Sequence, residues 1–286
     1  VRNVIESGLR VKDVMTRDVI YVTLPGTRDE VLEIFKKHGI SGVPVVKDKR
    51  LVGIITRTDI LRKPEEEQLA LLMTRNPITI SPEESIESAA KILYERRIRR
   101  LPVVKNDELV GIVSIADLIR ALGDMDVQET IDRYLEDGTM ICWEMTPLNI
   151  VAMMMQMGNI NAMPVVNDNG ELVGIIGDDD ILKASMIEDR VEKSDMSTAH
   201  DEDAWAWEGV RDTLRLYYGV SEIKIPKIPV KEVMVKNVVT AYQYSEVSEC
   251  ARKMSRGNFD QLPVITSENV IIGVLKDRDL LKVFFE

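Results

Sequence analysis

Cysteine and histidine are nearly missing from this chain: Cys142 and Cys250 are the only thiols, His38 and His200 the only imidazoles. Two cysteines do not make a disulfide framework, and no Cys/His cluster has zinc spacing. Both thiols read as buried, small apolar residues. His38 falls near a helix end, where a solvated or capping role suits it, and His200 sits in an acidic stretch that reads as surface. No apolar run approaches the length of a bilayer span. No basic stretch followed by an apolar segment opens the sequence. These features predict a cytoplasmic protein with no membrane partner. Positive charge is also in deficit, with a net charge of −11. That disfavours nucleic acid, whose non-specific binding needs basic surface to displace counterions. There is no Walker loop and no Cys/His nucleophilic pair, so neither catalysis nor a catalytic cofactor is expected.

What the chain does have is one pattern four times: Gly53-Ile-Ile-Thr-Arg-Thr-Asp59, Gly111-Ile-Val-Ser-Ile-Ala-Asp117, Gly174-Ile-Ile-Gly-Asp-Asp-Asp180 and Gly273-Val-Leu-Lys-Asp-Arg-Asp279. Each follows a Pro-Val run, beginning at Pro44, Pro102, Pro164 and Pro263. In the first copy Val19–Thr23 reads as a strand and Leu24–Thr27 as a turn. Val31, Leu32, Ile34 and Phe35 give the stretch 28–38 one apolar helical face, and Gly39 stops it. Residues 42–46 and 51–55 read as strands around a polar turn at 47–50, and Thr56 caps a helix with Asp59 in its first turn. The second copy repeats this order, with a strand at 78–80, a helix at 83–96, strands at 101–104 and 109–113 about Asn106-Asp107, and a helix from Ser114. An α/β (α+β) fold of tandem repeats follows.

The segment 123–137 reads as a linker helix. An insertion over 185–227 has a polar, acidic first half (188–203), while Trp205, Trp207, Val210, Leu214, Leu216 and Tyr217 give 205–218 a helical context. That helix suits packing on its own domain, with a partner surface as the alternative. Met153, Met154, Met155 and Met157 read as core packing with adaptable side chains. Asp178, Asp179 and Asp180 read as a solvated helix start rather than a cation site. Arg96, Arg97, Arg99 and Arg100 form a basic cluster whose first two members suit a solvated helix end.

The recurrence of strand, helix, Pro-containing strand, Gly strand and [Thr/Ser]-x-x-Asp resembles the CBS domain, over nearly the whole chain. The four-copy arrangement is similar to archaeal relatives of the gamma subunit of AMP-activated protein kinase. The resemblance implies two Bateman modules, each with paired sheets, meeting as a disc. Module one would span 1–122 (copies at 11–64 and 69–122) and module two 138–286 (copies at 138–184 and 230–286). It implies ligands such as AMP, ADP or ATP, magnesium accompanying a triphosphate, with S-adenosylmethionine or another nucleotide as the alternative. It carries ligand roles onto Ile20, Ser41, Gly42, Thr56 and Asp59 in copy one and onto Ile78, Arg99, Arg100, Ser114 and Asp117 in copy two. Copy three offers Met140, Asn161, Ala162 and Asp180, with Gly177 where the hydroxyl should be. Copy four offers Val239, Asp260, Gln261 and Asp279, with Lys276 in the hydroxyl position.

The chemistry is coherent. One carboxylate accepts from both ribose hydroxyls, and an Asp one turn after Thr or Ser sets it beside the N–H groups and dipole of a helix start, which favour phosphate. An arginine fork matches phosphate oxygens, the motif glycine permits close backbone approach, and Ile and Val supply an apolar slot for a flat base. Asp in a first turn also serves capping alone. The expected function is a regulatory adenine-nucleotide sensor acting on a separate protein or through self-association. The alternative is a structural or interaction module with decayed clefts.

Overall fold

The computed structural model describes residues 7–56, 59–60, 63, 66–135, 138–158, 160–178, 180–181, 183–184 and 225–286. The insertion as far as residue 224, with its tryptophans and His200, lies outside the described residues, as does Asp179.

Each repeat builds the same local structure. In copy one, β1 (Val22–Thr23) leads into α2 (Arg28–His38), the short helix Val11–Val14 being α1. Thr27 caps α2 in a capping box with Glu30, and Gly39 ends it at φ 62°, a left-handed conformation that suits glycine. His38 is the exposed last residue of that helix. The hairpin β2 (Gly42–Lys47) and β3 (Arg50–Thr56) turns through Asp48 and Lys49, both at positive φ. In copy two the hairpin is β5 (Arg100–Lys105) and β6 (Glu108–Ser114), turning at Asn106 and Asp107 in the same way. The helices there are α4 (Ile86–Glu95) and α5 (Ile115–Asp124). The expected strand at 78–80 reduces to a single bridge, Ile80 to Val103, and that at 19–23 to its last two residues.

Copies one and two exchange their leading segments. The α3 helix (Leu69–Leu72) and β4 (Thr74–Arg75) precede copy two, yet β4 pairs with β3 of copy one, and Leu69, Leu72 and Met73 belong to copy one's core with Val31, Phe35, Val43, Val45 and Ile55. In return, Thr16 bridges Ile112 in β6. The motif glycines exist for this exchange. A Cβ on Gly53 would lie 2.6 Å from the sulfur of Met73, and one on Gly111 2.5 Å from that of Met15. The close approach expected at these glycines is therefore made by a methionine of the neighbouring repeat. The two hairpins share one six-stranded sheet, in the order β1-β2-β3-β6-β5 with β4 beside β3, joined where Arg50 pairs with Glu108.

The chain divides into two compact units. The first holds copies one and two together with residues 243–262 and 274–286. In it α7 (Val247–Gly257) packs on α5, and a 3₁₀ turn, Leu281–Phe284, packs on α4. Gly123 allows this: a Cβ there would meet Arg252 at 3.1 Å, and Arg252 donates to the Gly123 carbonyl. The expected linker helix over 123–137 is not one. The α5 helix ends at Asp124, and among the described residues only a 3₁₀ turn, Ile131–Tyr134, follows. The buried Ser248 hydroxyl accepts from Val127 N–H and donates to the Met125 carbonyl, which satisfies the backbone without a helix.

The second unit holds residues 137–242 and 263–273. Its sheet β7-β8-β9 (Cys142–Trp143, Ala162–Val166, Leu172–Gly177) carries α6 (Leu148–Gly158). Val230 and Met234, from the segment leading into copy four, enter this core, and Met234 lies against Gly174, so the exchange recurs. Glu171 bridges Val270, matching the Arg50–Glu108 pairing. The fourth copy contributes β10 (Ala241–Tyr242), β11 (Gln261–Ile265) and β12 (Ile271–Lys276) as a three-stranded sheet. The methionine run needs correcting: Met155 is buried, but Met153 is 51% and Met157 82% exposed. The α6 helix buries Leu148, Val151, Ala152 and Met155, and 153 and 157 fall off that face.

Candidate functional site

The ends of β3 and β6 in the first unit carry matching hydroxyl–carboxylate pairs. Thr56, the last residue of β3, donates from Oγ1 to Asp59 Oδ2 at 2.6 Å, and its N–H donates to the same oxygen at 2.8 Å. Ser114, the last residue of β6, makes the same two bonds to Asp117 Oδ2 at 2.6 and 2.9 Å. The remaining oxygens differ. Asp59 Oδ1 accepts from Thr74 Oγ1 at 3.1 Å, and Asp117 Oδ1 from Arg120 Nη2 at 3.1 Å. Each carboxylate is thus fixed in place by the last residue of its strand and by one further donor. Thr74 and Arg120 were not among the expected residues; Thr74 comes from the exchanged segment, which no local pattern reveals.

Between the pairs lies Arg100. Strand register sets Gly42 opposite Thr56 and Arg100 opposite Ser114. The Arg100 guanidinium donates to the Gly42 carbonyl and to Ser41 Oγ, both at 2.7 Å. A Cβ on Gly42 would sit 3.1 Å from Arg100 Nη1, so the glycine makes room for this crossing. The structure therefore brings Ser41, Gly42, Thr56, Arg100 and Ser114 of two repeats into one neighbourhood. Ile20 is half-buried and Ile78 is 41% exposed.

Arg99 goes elsewhere. It is the residue before β5, and its guanidinium reaches Asp277 with Nη2–Oδ2 2.6 Å and Nη1–Oδ1 3.5 Å. Asp277 opens the short helix α8 (Asp277–Leu280). Its side chain is only 7% exposed against 54% for Arg99. Burial raises the Asp277 carboxyl above its ordinary value, while the charge and hydrogen bond of Arg99 pull it down. The sequence held a signal for Asp277: an acid directly after the hydroxyl position occurs in copies three and four, where copy two has the buried Ile115. The three positions are equivalent, since the N–H groups of Ile115, Asp178 and Asp277 donate to the carbonyls of Arg99, Asn161 and Asp260.

In the second unit, Asp180 Oδ2 accepts from Gly177 N–H at 2.9 Å, as the carboxylates of copies one and two do from Thr56 and Ser114, but without a hydroxyl. A Cβ at Gly177 would stand 3.5 Å from that oxygen, an ordinary contact, so space does not require the glycine. Met140 packs against the copy-three core, Ala162 opens β8 and Asn161 is exposed. The copy-four residues are divided: Val239 lies in the second unit, and Asp260, Gln261, Lys276 and Asp279 in the first. Lys276 is exposed and Asp279 is 2% exposed. Cys142 and Cys250 are buried, and burial pushes both thiols up to about 12. Among the described residues no group of three or more His, Cys, Asp or Glu could hold a metal, and no helix is long and apolar enough to cross a membrane.

The protein-family pattern described as "CBS domain" matches residues 11–66, 68–124, 139–187 and 230–286. An uncharacterised protein of Methanocaldococcus jannaschii, MJ1225, is 30% identical over 192 residues, 60% of this chain and 69% of its own. Its crystal structure, described as a proposed archaeal homologue of the AMPK gamma subunit, shares the fold at TM-score 0.68 and 24% identity, covering 96% of this chain and all of the other. That of an uncharacterised conserved protein from Pyrococcus horikoshii gives TM-score 0.70 at 29% identity, with 96% and 100% covered. Inosine-5'-monophosphate dehydrogenase of Korarchaeum cryptofilum is 36% identical over 118 residues, but these make up only 25% of that enzyme.

Proposed function

The chain belongs to the CBS domain family, with four repeats consistent with two Bateman modules, and from that premise we propose that it is a regulatory protein whose first unit binds an adenine nucleotide. The observation that carries this is the pair of matched carboxylates, Asp59 and Asp117, with Arg100 between them. Each carboxylate offers acceptors for a ribose diol, and Ser114 sits at the N-terminus of the ten-residue α5, where backbone N–H groups and the dipole favour phosphate. Ile20 and Ile78 supply apolar surface for a base. Arg100, now bonded to Ser41 and Gly42, would turn its charge-assisted bonds to phosphate oxygens. AMP, ADP and ATP fit this chemistry, magnesium accompanying a triphosphate, and S-adenosylmethionine is the competing ligand. Regulation requires that ligand bind two states of the protein, or of a separate partner complex, unequally.

Calorimetry with adenosine, AMP, ADP, ATP, GTP and S-adenosylmethionine tests the reading. Binding of an adenine nucleotide, weakened in Asp117→Ala, is the expected result. No binding of any of these at millimolar concentration sinks it. For copy three a second reading has support: Gly177 stands where copies one and two place the hydroxyls of Thr56 and Ser114, which suits a repeat kept for structure rather than for ligand.

A further inference from the structure

We infer that Asp277 is a specificity-determining residue: it occupies the fork edge of Arg99, so that a phosphate-bearing ligand can use that guanidinium only by displacing a buried carboxylate. The proposal rests on the nucleotide reading for the identity of the ligand, but not for the behaviour of Arg99 toward anions.

The geometry supports it in three ways. Arginine grips a carboxylate or phosphate best through two parallel N–H bonds, and Arg99 aims both terminal nitrogens at the two oxygens of Asp277. The partners are unequally solvated, Asp277 being 7% and Arg99 54% exposed at the side chain. The guanidinium is therefore reachable from solvent, while the carboxylate depends on it. A buried carboxylate that loses a strong counter-charge is costly, even though the Arg278 backbone N–H still bonds it. Asp260 sharpens this: its carbonyl accepts the Asp277 N–H at 2.8 Å, and its charge acts on both Arg99 and Asp277. An anion approaching Arg99 thus meets two carboxylates.

The competing residue also stands on a packed element. Asp277 begins α8, and the following turn, Leu281–Phe284, buries Leu281 and Phe284. Arg278 and Lys282 lie over the Tyr94 ring of α4 at 5.2 and 5.3 Å from its centre. The carboxylate is held in position by this packing and does not drift away at no cost. Neutral adenosine would not feel it; each added phosphate would.

Wild type and Asp277→Asn should be titrated by calorimetry with adenosine, ATP and sodium tripolyphosphate. ATP and tripolyphosphate should bind the variant about tenfold tighter or more, a change within the range of close charge pairs, while adenosine stays within about twofold. Adding Arg99→Gln should return both anions to wild-type affinity. Unchanged or weaker binding of both anions to a folded Asp277→Asn protein overturns the inference. If adenosine and ATP bind neither protein while tripolyphosphate gains, the inference stands and the nucleotide reading falls. Asp277→Ser, which keeps a small polar group at the helix start, replaces the asparagine variant if that one does not fold.

Discussion

Arg99 and Arg100 are adjacent, chemically identical, and aimed at different partners. Side chains alternate at the start of a strand, so one reaches the copy-one hairpin and the other reaches Asp277. Their type suggested phosphate chemistry; their direction was not legible, because it depends on which repeats pack together. The same limit applies to Met153 and Met157, whose composition suggested core and whose phase on α6 makes them surface. The cysteines were fully legible, since two scattered thiols in apolar context have little else to do. Their elevated pKa gives a test at this scale. A folded sample at pH 8 should show almost no reaction with a thiol reagent over minutes, and two thiols should react in denaturant. Prompt labelling of either cysteine in native protein would contradict its burial.

At the scale of elements, the hairpins and the α2 helix follow from turn residues and apolar period, down to the Gly39 stop. The exchange of lead-in segments does not, because a methionine directly after two apolar residues spaced three apart gives no sign of which repeat it will cover. The glycines show what the exchange demands. The three nearest contacts of a Cβ at Gly111 all belong to the flexible Met15 side chain, whereas Gly53→Ala also meets the Thr74 carbonyl at 3.0 Å, which cannot swing aside. Overpacking of this kind costs about 1–3 kcal/mol. Denaturant unfolding should place Gly53→Ala near the upper end and Gly111→Ala near the lower, and Met15→Ala should partly rescue the second alone. Equal losses would mean that the methionines are not what the glycines accommodate. The cap at Ser114 is a separate contribution. Ser114→Ala removes the hydroxyl that Asp117 N–H and Asp117 Oδ2 both use, and should lower stability by about 1 kcal/mol while leaving Arg120 on Asp117 Oδ1.

Across the whole molecule, the four repeats do not map one to one onto compact units. Residues 243–262 and 274–286 belong with copies one and two, a consequence of α7 packing on α5 that no single-repeat pattern contains. Both hydroxyl–carboxylate pairs, both arginines and Cys250 therefore share the first unit, and Cys142 lies in the second. The two thiols are natural reporters, one for each unit. Each must await an opening event to react, since both are buried and protonated near neutral pH. A ligand that binds only the closed form lowers the open population by the factor 1 + [L]/Kd. At a nucleotide concentration about 100 times Kd, labelling of Cys250 should slow roughly 100-fold where reclosing outpaces reaction. Cys142 should keep its rate if its unit opens independently, and mass spectrometry of the labelled peptides separates the two. Arg100→Ala should lose most of the protection given by ATP and keep that given by adenosine, because only the phosphates use the guanidinium. A Cys250 rate indifferent to saturating nucleotide would place the ligand outside the first unit.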